Sequence, residues 1–303
     1  MNSSKTPWYQ VVEGHMIAGG FNAENFKSAL KYKAQDDDIF IATYPKSGTT
    51  WMQMIVLLLK NEGVIPNGLT FYQLTHDQIP FIDRYGASVV EQLDRPRMIK
   101  SHLPFNKIPW NDNAKYIVVC RNPFDVCVSF YHHTEGFTSV YNFKDGSFDV
   151  FFELFLKGEV QFGCYFYHLL SYWNQRTRKN ILFLTYEEMK ESVESAVKKV
   201  AEFLGGKYLE NMKKEGVLDK ILENISFSSM SKAINPTIKN RAEGSTNFIR
   251  KGVIGDYKCL FSKEQKRRLS DKFRQTCANS DAFELWRKYG LPTEGIESMN
   301  QRL

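Results

Sequence analysis

The chain has 303 residues, 43% of them hydrophobic and 14% aromatic, which is ample for a sizeable core and excludes a disordered protein. Its formal charge of +6 is local: between residues 250 and 274 nine Lys/Arg stand against three acids, a difference equal to the whole excess. A solvated helix face accounts for most of that run, and no nucleic-acid partner is expected.

Residues 1–38 are polar and mixed, with Gly14, Gly19 and Gly20 interrupting any periodicity, and no element is predicted there. Ile39-Phe40-Ile41 reads as a strand, broken at Tyr44-Pro45. A turn of Lys46, Ser47, Gly48, Thr49 and Thr50 follows, and then an apolar helix to Lys60. Such a turn aims several backbone N–H groups at one spot, and the hydroxyls and lysine complete an anion cradle. The lysine precedes the glycine and the first glycine of G-x-x-x-x-G-K-[ST] is missing, so this is not an ordinary ATP loop. Residues 63–68 form a loop, and Arg97 to Ser101 form a short strand stopped by His102-Leu103-Pro104.

Tyr116 to Cys120 is a fully apolar strand ended by Arg121-Asn122-Pro123, and the helix after it starts at Asp125 with Val126, Ser129 and Phe130 at helical spacing. Ile181 to Thr185 is the next strand. Its helix, with acids Glu187 and Glu188 at the start, sets Val193, Val197, Val200 and Leu204 on one face and stops at Gly205-Gly206. Residues 235–247 read as an exposed loop leading into Phe248-Ile249-Arg250-Lys251-Gly252. Apolar strands alternating with helices imply an α/β fold around a parallel sheet covered on both faces. We expect one domain over 1–303, with its core in 35–290 and a frayed tail from 291. Lys46, Lys100, His102, Arg121 and Tyr186 all fall at or just past strand carboxyl ends, where ligands bind in such sheets.

The five cysteines form no C-x-x-C pair, which suits a reduced compartment. The N-terminus lacks an apolar h-region, and the longest apolar run, Met54 to Leu59, is far short of the roughly 20 residues that span a membrane. A cytoplasmic protein without membrane association is expected. No metal-ligand spacing and no G-x-S-x-G occurs, so neither a zinc hydrolase nor an α/β-hydrolase is indicated.

Each candidate also has a plainer structural role. Thr49 and Thr50 suit a helix start, Arg121 a strand end, and a single histidine is usually structural. Their grouping speaks for chemistry. TYPKSGTTW (43–51), KSHLP (100–104), RNPFDVCVSFYH (121–132), TYEEM (185–189) and RKGVIGDYK (250–258) together resemble the cytosolic sulfotransferases, in order and over most of the chain. The resemblance implies a five-stranded parallel sheet and 3′-phosphoadenylyl sulfate (PAPS) as sulfuryl donor, leaving 3′,5′-ADP. It assigns Lys46, Ser47, Gly48, Thr49, Thr50 and Trp51 to the phosphosulfate and adenine, and Arg121, Ser129, Arg250, Lys251 and Gly252 to the 3′-phosphate. Tyr186, Ser226, Phe227, Met230 and Phe248 join the donor site. Ile225 stands where the family usually has Thr. The family's dimer motif would begin at Lys258, but Ser262, Lys263 and Arg267 occupy its key places, so a homodimer is not secured.

The chemistry asks for a base to take the acceptor's proton and a cation where charge builds on the leaving oxygen. We assign His102 as base, Lys46 as leaving-group stabiliser and Lys100 as auxiliary cation, with no metal required. Aromatic residues concentrate near the rim: Phe21, Phe81, Phe130, Tyr131, Phe137, Phe143 and Phe248. Phe21, Phe81 and Phe137 are placed with Lys100 and His102 around a small hydroxylated acceptor. Glu135 suggests pairing with an amine, hence a phenol or a phenolic monoamine such as dopamine. The alternatives are a hydroxysteroid or alcohol acceptor, a P-loop nucleotide kinase, and a non-catalytic nucleotide or lipophile carrier.

Overall fold

Ile39–Thr43 (β3) is buried along its whole length and lies between two parallel neighbours. The computed structural model describes residues 5–289 and 291. The sheet order is β4-β3-β5-β6, with β4 Met98–Ser101, β5 Lys115–Cys120 and β6 Ile181–Thr185, and every pairing is parallel. Period-two alternation divides β3 between two cores. Phe40 and Ala42 face one cluster with Tyr116 and Val118, while Ile39 and Ile41 face another with Ile117 and Val119.

The sheet has four strands among the described residues, not the five implied by family resemblance. Beyond β4 only a single bridge forms, between Phe81 and Lys100. A second correction lies at the N-terminus. Tyr9–Val12 (β1) and His15–Ala18 (β2) pair as an antiparallel hairpin, which the glycine-interrupted sequence concealed. Val12, Ile17, Phe21 and Phe26 enter the first cluster, so the buried core begins well before residue 35. Leu291 is buried, and the rest of the expected frayed tail lies outside the described residues.

The helix after β3 is Thr49–Lys60 (α1), whose run from Met54 to Leu59 is wholly buried under the sheet. The helix after β5 is Pro123–Gly136 (α2), capped by Asn122, with proline in its first turn. After β6 the single expected helix is two. Tyr186–Glu191 (α3) opens on a Thr185/Glu188 capping box, and Val193–Leu204 (α4) buries Val197, Val200 and Leu204 before Gly205. From β3 the chain passes to β4 on one side, and from β5 to β6 on the other. The loops after β3 and β5 therefore part and leave a crevice at their carboxyl ends. No described helix is long and apolar enough to cross a membrane.

Candidate active site

The crevice opens on the Tyr44–Gly48 turn. Lys46 holds a left-handed φ of 67° and Gly48 a φ of 110°, so the chain doubles back and enters α1 with no side-chain cap on its first amides. Those N–H groups have no partner within the helix and face the cavity mouth with the positive end of its dipole. The hydroxyls of Thr43 and Thr49 lie 2.6 Å apart and tie the strand end to the helix start. Gly48 is required twice over, by its φ and because a Cβ there would lie 3.1 Å from the Tyr186 ring. Gly48→Ala is expected to cost about 1–3 kcal/mol of stability, read as a lower urea midpoint at an unchanged slope.

The Lys46 ammonium sits 4.0 Å over the Phe248 ring. Burial, then the fields of Arg241, Lys100, Arg121 and Arg250, hold its pKa well below the ordinary lysine value. A cation crowded by four others and met by an aromatic face is a site short of negative charge.

Arg121 leaves the end of β5 and reaches across the crevice. Its guanidinium lies 4.2 Å over the Tyr186 ring, donates 3.0 Å to the Val253 carbonyl and contacts the Lys46 carbonyl at 3.5 Å. Its Nε is buried without a partner. The 250–257 segment is pinned beside it because Asp125, in the first turn of α2, accepts from Gly255 N (2.8 Å) and Tyr257 N (3.1 Å). Asp256 then pairs with Arg250 and, at 2.7 Å, with Lys251. Burial would raise the Asp256 carboxyl, but those two cations outweigh it and hold it below its usual value. Gly252, at φ 64°, lets this loop close on Phe227, whose ring would be 2.6 Å from a Cβ.

On the opposite wall His102 follows β4. Its Nδ1 lies 2.7 Å from the Thr43 carbonyl oxygen, which can only accept, so Nδ1 carries the proton and Nε2 keeps a free lone pair. Phe81 and Phe162 hold the ring edge-on, with centroids at 4.8 and 5.3 Å. Burial and the Lys100 charge keep the imidazole pKa well below its usual value, so it is neutral at pH 7. The Lys100 ammonium lies 3.9 Å over Phe81, and burial pulls its pKa to about 7 against the attraction of Asp83. Asp83 accepts from His102 N at 2.6 Å and from the Ser101 hydroxyl at 2.8 Å, which fixes the backbone under the His102 ring.

One continuous cavity joins these groups. Of the residues expected for the donor, Lys46, Gly48 to Trp51, Arg121, Ser129, Tyr186, Phe227, Met230, Phe248 and Arg250 to Gly252 line it, as does Ile225. Ser47 and Ser226 do not. The Ser47 hydroxyl is buried behind the turn without a partner, and Ser226 caps the Phe227–Ile234 helix through Ser229 N at 3.2 Å. Phe21, Phe81, Lys100, His102 and Phe137, the residues expected around an acceptor, line the same cavity. Glu135 is not among the residues that line the cavity, and its charge acts on Arg241. Among the rim aromatics Phe130 and Phe143 are fully buried core residues. In the dimer-motif region Arg267 is engaged on its own helix, by Glu264 at 2.7 Å and Asp271 at 2.8 Å.

A sulfotransferase domain model matches residues 36–281. The chain belongs to the sulfotransferase family. Rabbit (Oryctolagus cuniculus) sulfotransferase 1C2 is 34% identical over 83% of this chain and 87% of its own length. Sulfotransferase 1E1 of Cavia porcellus is 34% identical over 86% and 91%. Among solved structures, mouse sulfotransferase SULT7A1 complexed with PAP superposes with a TM-score of 0.73 at 27% identity, covering 93% of this chain and 98% of that one.

For a sulfotransferase, the crevice has the attributes that a donor with two anionic ends needs. They are open α1 amides, an unpartnered Arg121 Nε, and two cation groups divided between the β3 turn and the 250–252 loop. Sequence reading missed Asp83, Asp125 and Asp256, the carboxylates that hold His102 and the 250–257 segment in place. Their partners lie up to 132 positions away, and no local spacing announces such contacts. Arg84 and Gln161, also on the cavity wall, gave no signal either.

Proposed function

We propose that this sulfotransferase transfers the sulfuryl group of PAPS to the hydroxyl of a small apolar acceptor, a phenol, with His102 as base and one domain carrying both half-sites. The observation that carries this reading is the Nδ1–H contact of His102 to Thr43, which leaves Nε2 as an unprotonated acceptor in a cavity shared with the phosphate cradle. PAPS, when bound, supplies an activated sulfur whose bond to a phosphate oxygen breaks as the acceptor oxygen bonds to it. The α1 amides and Lys46 bind and neutralise the phosphosulfate end, while Arg121, Arg250, Lys251 and Ser129 hold the 3′-phosphate. Trp51, Tyr186 and Phe227 supply flat faces for the adenine. Nε2 of His102 removes the hydroxyl proton as the acceptor oxygen attacks. Lys100, close to neutrality, stabilises the oxygen while its proton leaves.

Phe21, Phe81, Phe137 and Val140 make the acceptor walls apolar. With Glu135 not among the lining residues, a phenol is favoured over a phenolic monoamine, since the charged side chains on those walls are the cations Lys100 and Arg84.

The 3′-phosphate group of cations is tested by thermal shift. 3′,5′-ADP is expected to raise Tm several times more than 5′-AMP at equal concentration; equal shifts would remove the assignment of Arg121 and Arg250. The near-neutral lysine has a separate signature. Lys100 loses its charge as pH rises through about 7 in the free enzyme, so kcat/KM is expected to fall through an inflection there. Lys100→Met should erase that inflection, and its persistence would assign it to another group.

A further inference from the structure

Two polar side chains on the acceptor walls have no task in the transfer itself. Arg84 lines the cavity with its guanidinium 5.5 Å from the Phe21 centroid and 5.2 Å from that of Tyr85. Among the described residues it has no carboxylate partner. Asp83, its neighbour in the chain, directs its oxygens to Ser101 and His102 N instead. Gln161 also lines the cavity and is only 2% exposed. The Tyr141 hydroxyl donates to its side-chain carbonyl, which fixes the amide, and Nε2 is left buried without a partner. Phe21, against which Arg84 lies, packs on Phe81 at 5.8 Å, and Phe81 packs on Phe162, the residue after Gln161, at 6.3 Å, so both side chains border one aromatic cluster of the cavity.

A buried amide N–H2 left unpaired is costly, and the half-buried Arg84 adds a positive charge to the same cavity wall. The chemistry that satisfies both is an oxyanion. No acid lines the acceptor half, where Lys100 and Arg84 are the charged groups, and the Asp83 oxygens behind Lys100 are taken by Ser101 and His102 N, so an ammonium finds no carboxylate to pair with. Between Arg84 and the base lies a row of rings: Phe21 packs on Phe81 at 5.8 Å and Phe81 on His102 at 4.8 Å. An aromatic ring with a short chain fits alongside that row.

Resting on the phenol sulfotransferase reading, we propose that Arg84 and Gln161 select acceptors bearing a carboxylate remote from the reacting hydroxyl, that is, hydroxyaryl carboxylic acids. The hydroxyl sits at His102 Nε2, the ring lies along Phe81 and Phe21, and the carboxylate meets Arg84 and the Gln161 amide. Arg84 supplies charge and Gln161 direction, so both are specificity determinants and neither takes part in proton or sulfuryl transfer.

The test compares kcat/KM at saturating PAPS for 3-(4-hydroxyphenyl)propanoate, its methyl ester and 4-hydroxyphenylethylamine. The acid is expected to exceed the ester by about tenfold to a hundredfold, with the amine below the ester. In Arg84→Leu the acid-to-ester ratio is expected to collapse through the KM of the acid, and Arg84→Lys to restore part of it. Gln161→Leu should lower the ratio by a smaller factor. Retained stabilisation by 3′,5′-ADP certifies that each variant is folded. An ester used as well as the acid by the wild type, or a ratio unmoved in folded Arg84→Leu, overturns this inference and leaves phenol sulfation standing. Inert acid and ester together overturn both.

Discussion

His102→Ala is expected to lower kcat by about 10²–10⁴-fold while leaving 3′,5′-ADP binding nearly unchanged. The expectation rests on how the ring is held. The Thr43 carbonyl fixes the Nδ1–H tautomer, Phe81 and Phe162 fix the ring plane, and Asp83 fixes the backbone amide. A histidine in a purely structural role would need none of its lone pair, yet here Nε2 is kept unprotonated by burial and by the cation beside it. The loss should fall on kcat and kcat/KM together, since proton removal is needed only as the acceptor oxygen attacks. Retained turnover in a folded His102→Ala enzyme would remove the base assignment.

Lys46→Met is expected to lower kcat by about 10²–10³-fold, an effect comparable to losing a preorganised oxyanion donor. Methionine keeps the apolar stem against Phe248 and removes only the charge. In the free protein that charge is destabilised by burial and by four neighbouring cations. The positive field is therefore set up before the leaving oxygen gains charge, which lowers the transition state more than the ground state. Two consequences separate this from simple loss of binding. Acceptor KM should change little, and the variant should melt no lower than the wild type, because a poorly solvated cation has been removed. An unchanged kcat with a raised donor KM would reassign Lys46 to uniform donor binding.

Sequence reading reached the architecture where local pattern and tertiary demand agree. Ile39 to Ile41, Tyr116 to Cys120 and Ile181 to Thr185 are continuous apolar runs because the sheet is covered on both faces, and all three are strands. The turn between β3 and α1 was legible for the same reason, since a lysine and two threonines at a strand–helix junction have a backbone cause. Residues 9–18 were not legible. Their alternation is short and ends at glycines, and only packing on the main core makes them a hairpin. Glu135 shows the opposite failure. Sequence reading placed it in a loop following the helix of Ser129 and so gave it to the acceptor pocket, but it lies in the last turn of α2 and is not among the residues that line the cavity. Asp83, Arg84 and Gln161 reach the site from segments with no periodic signal, and their meaning comes from what they face.

The most direct measurement of the central claim is a single-turnover reaction of enzyme, sulfur-labelled PAPS and a simple phenol, with aryl sulfate and 3′,5′-ADP followed together. Equal amounts of the two products are expected, formed at the same rate and slowed together in both His102→Ala and Lys46→Met. Release of 3′,5′-ADP without aryl sulfate, or no consumption of PAPS by the folded wild-type protein, would contradict it.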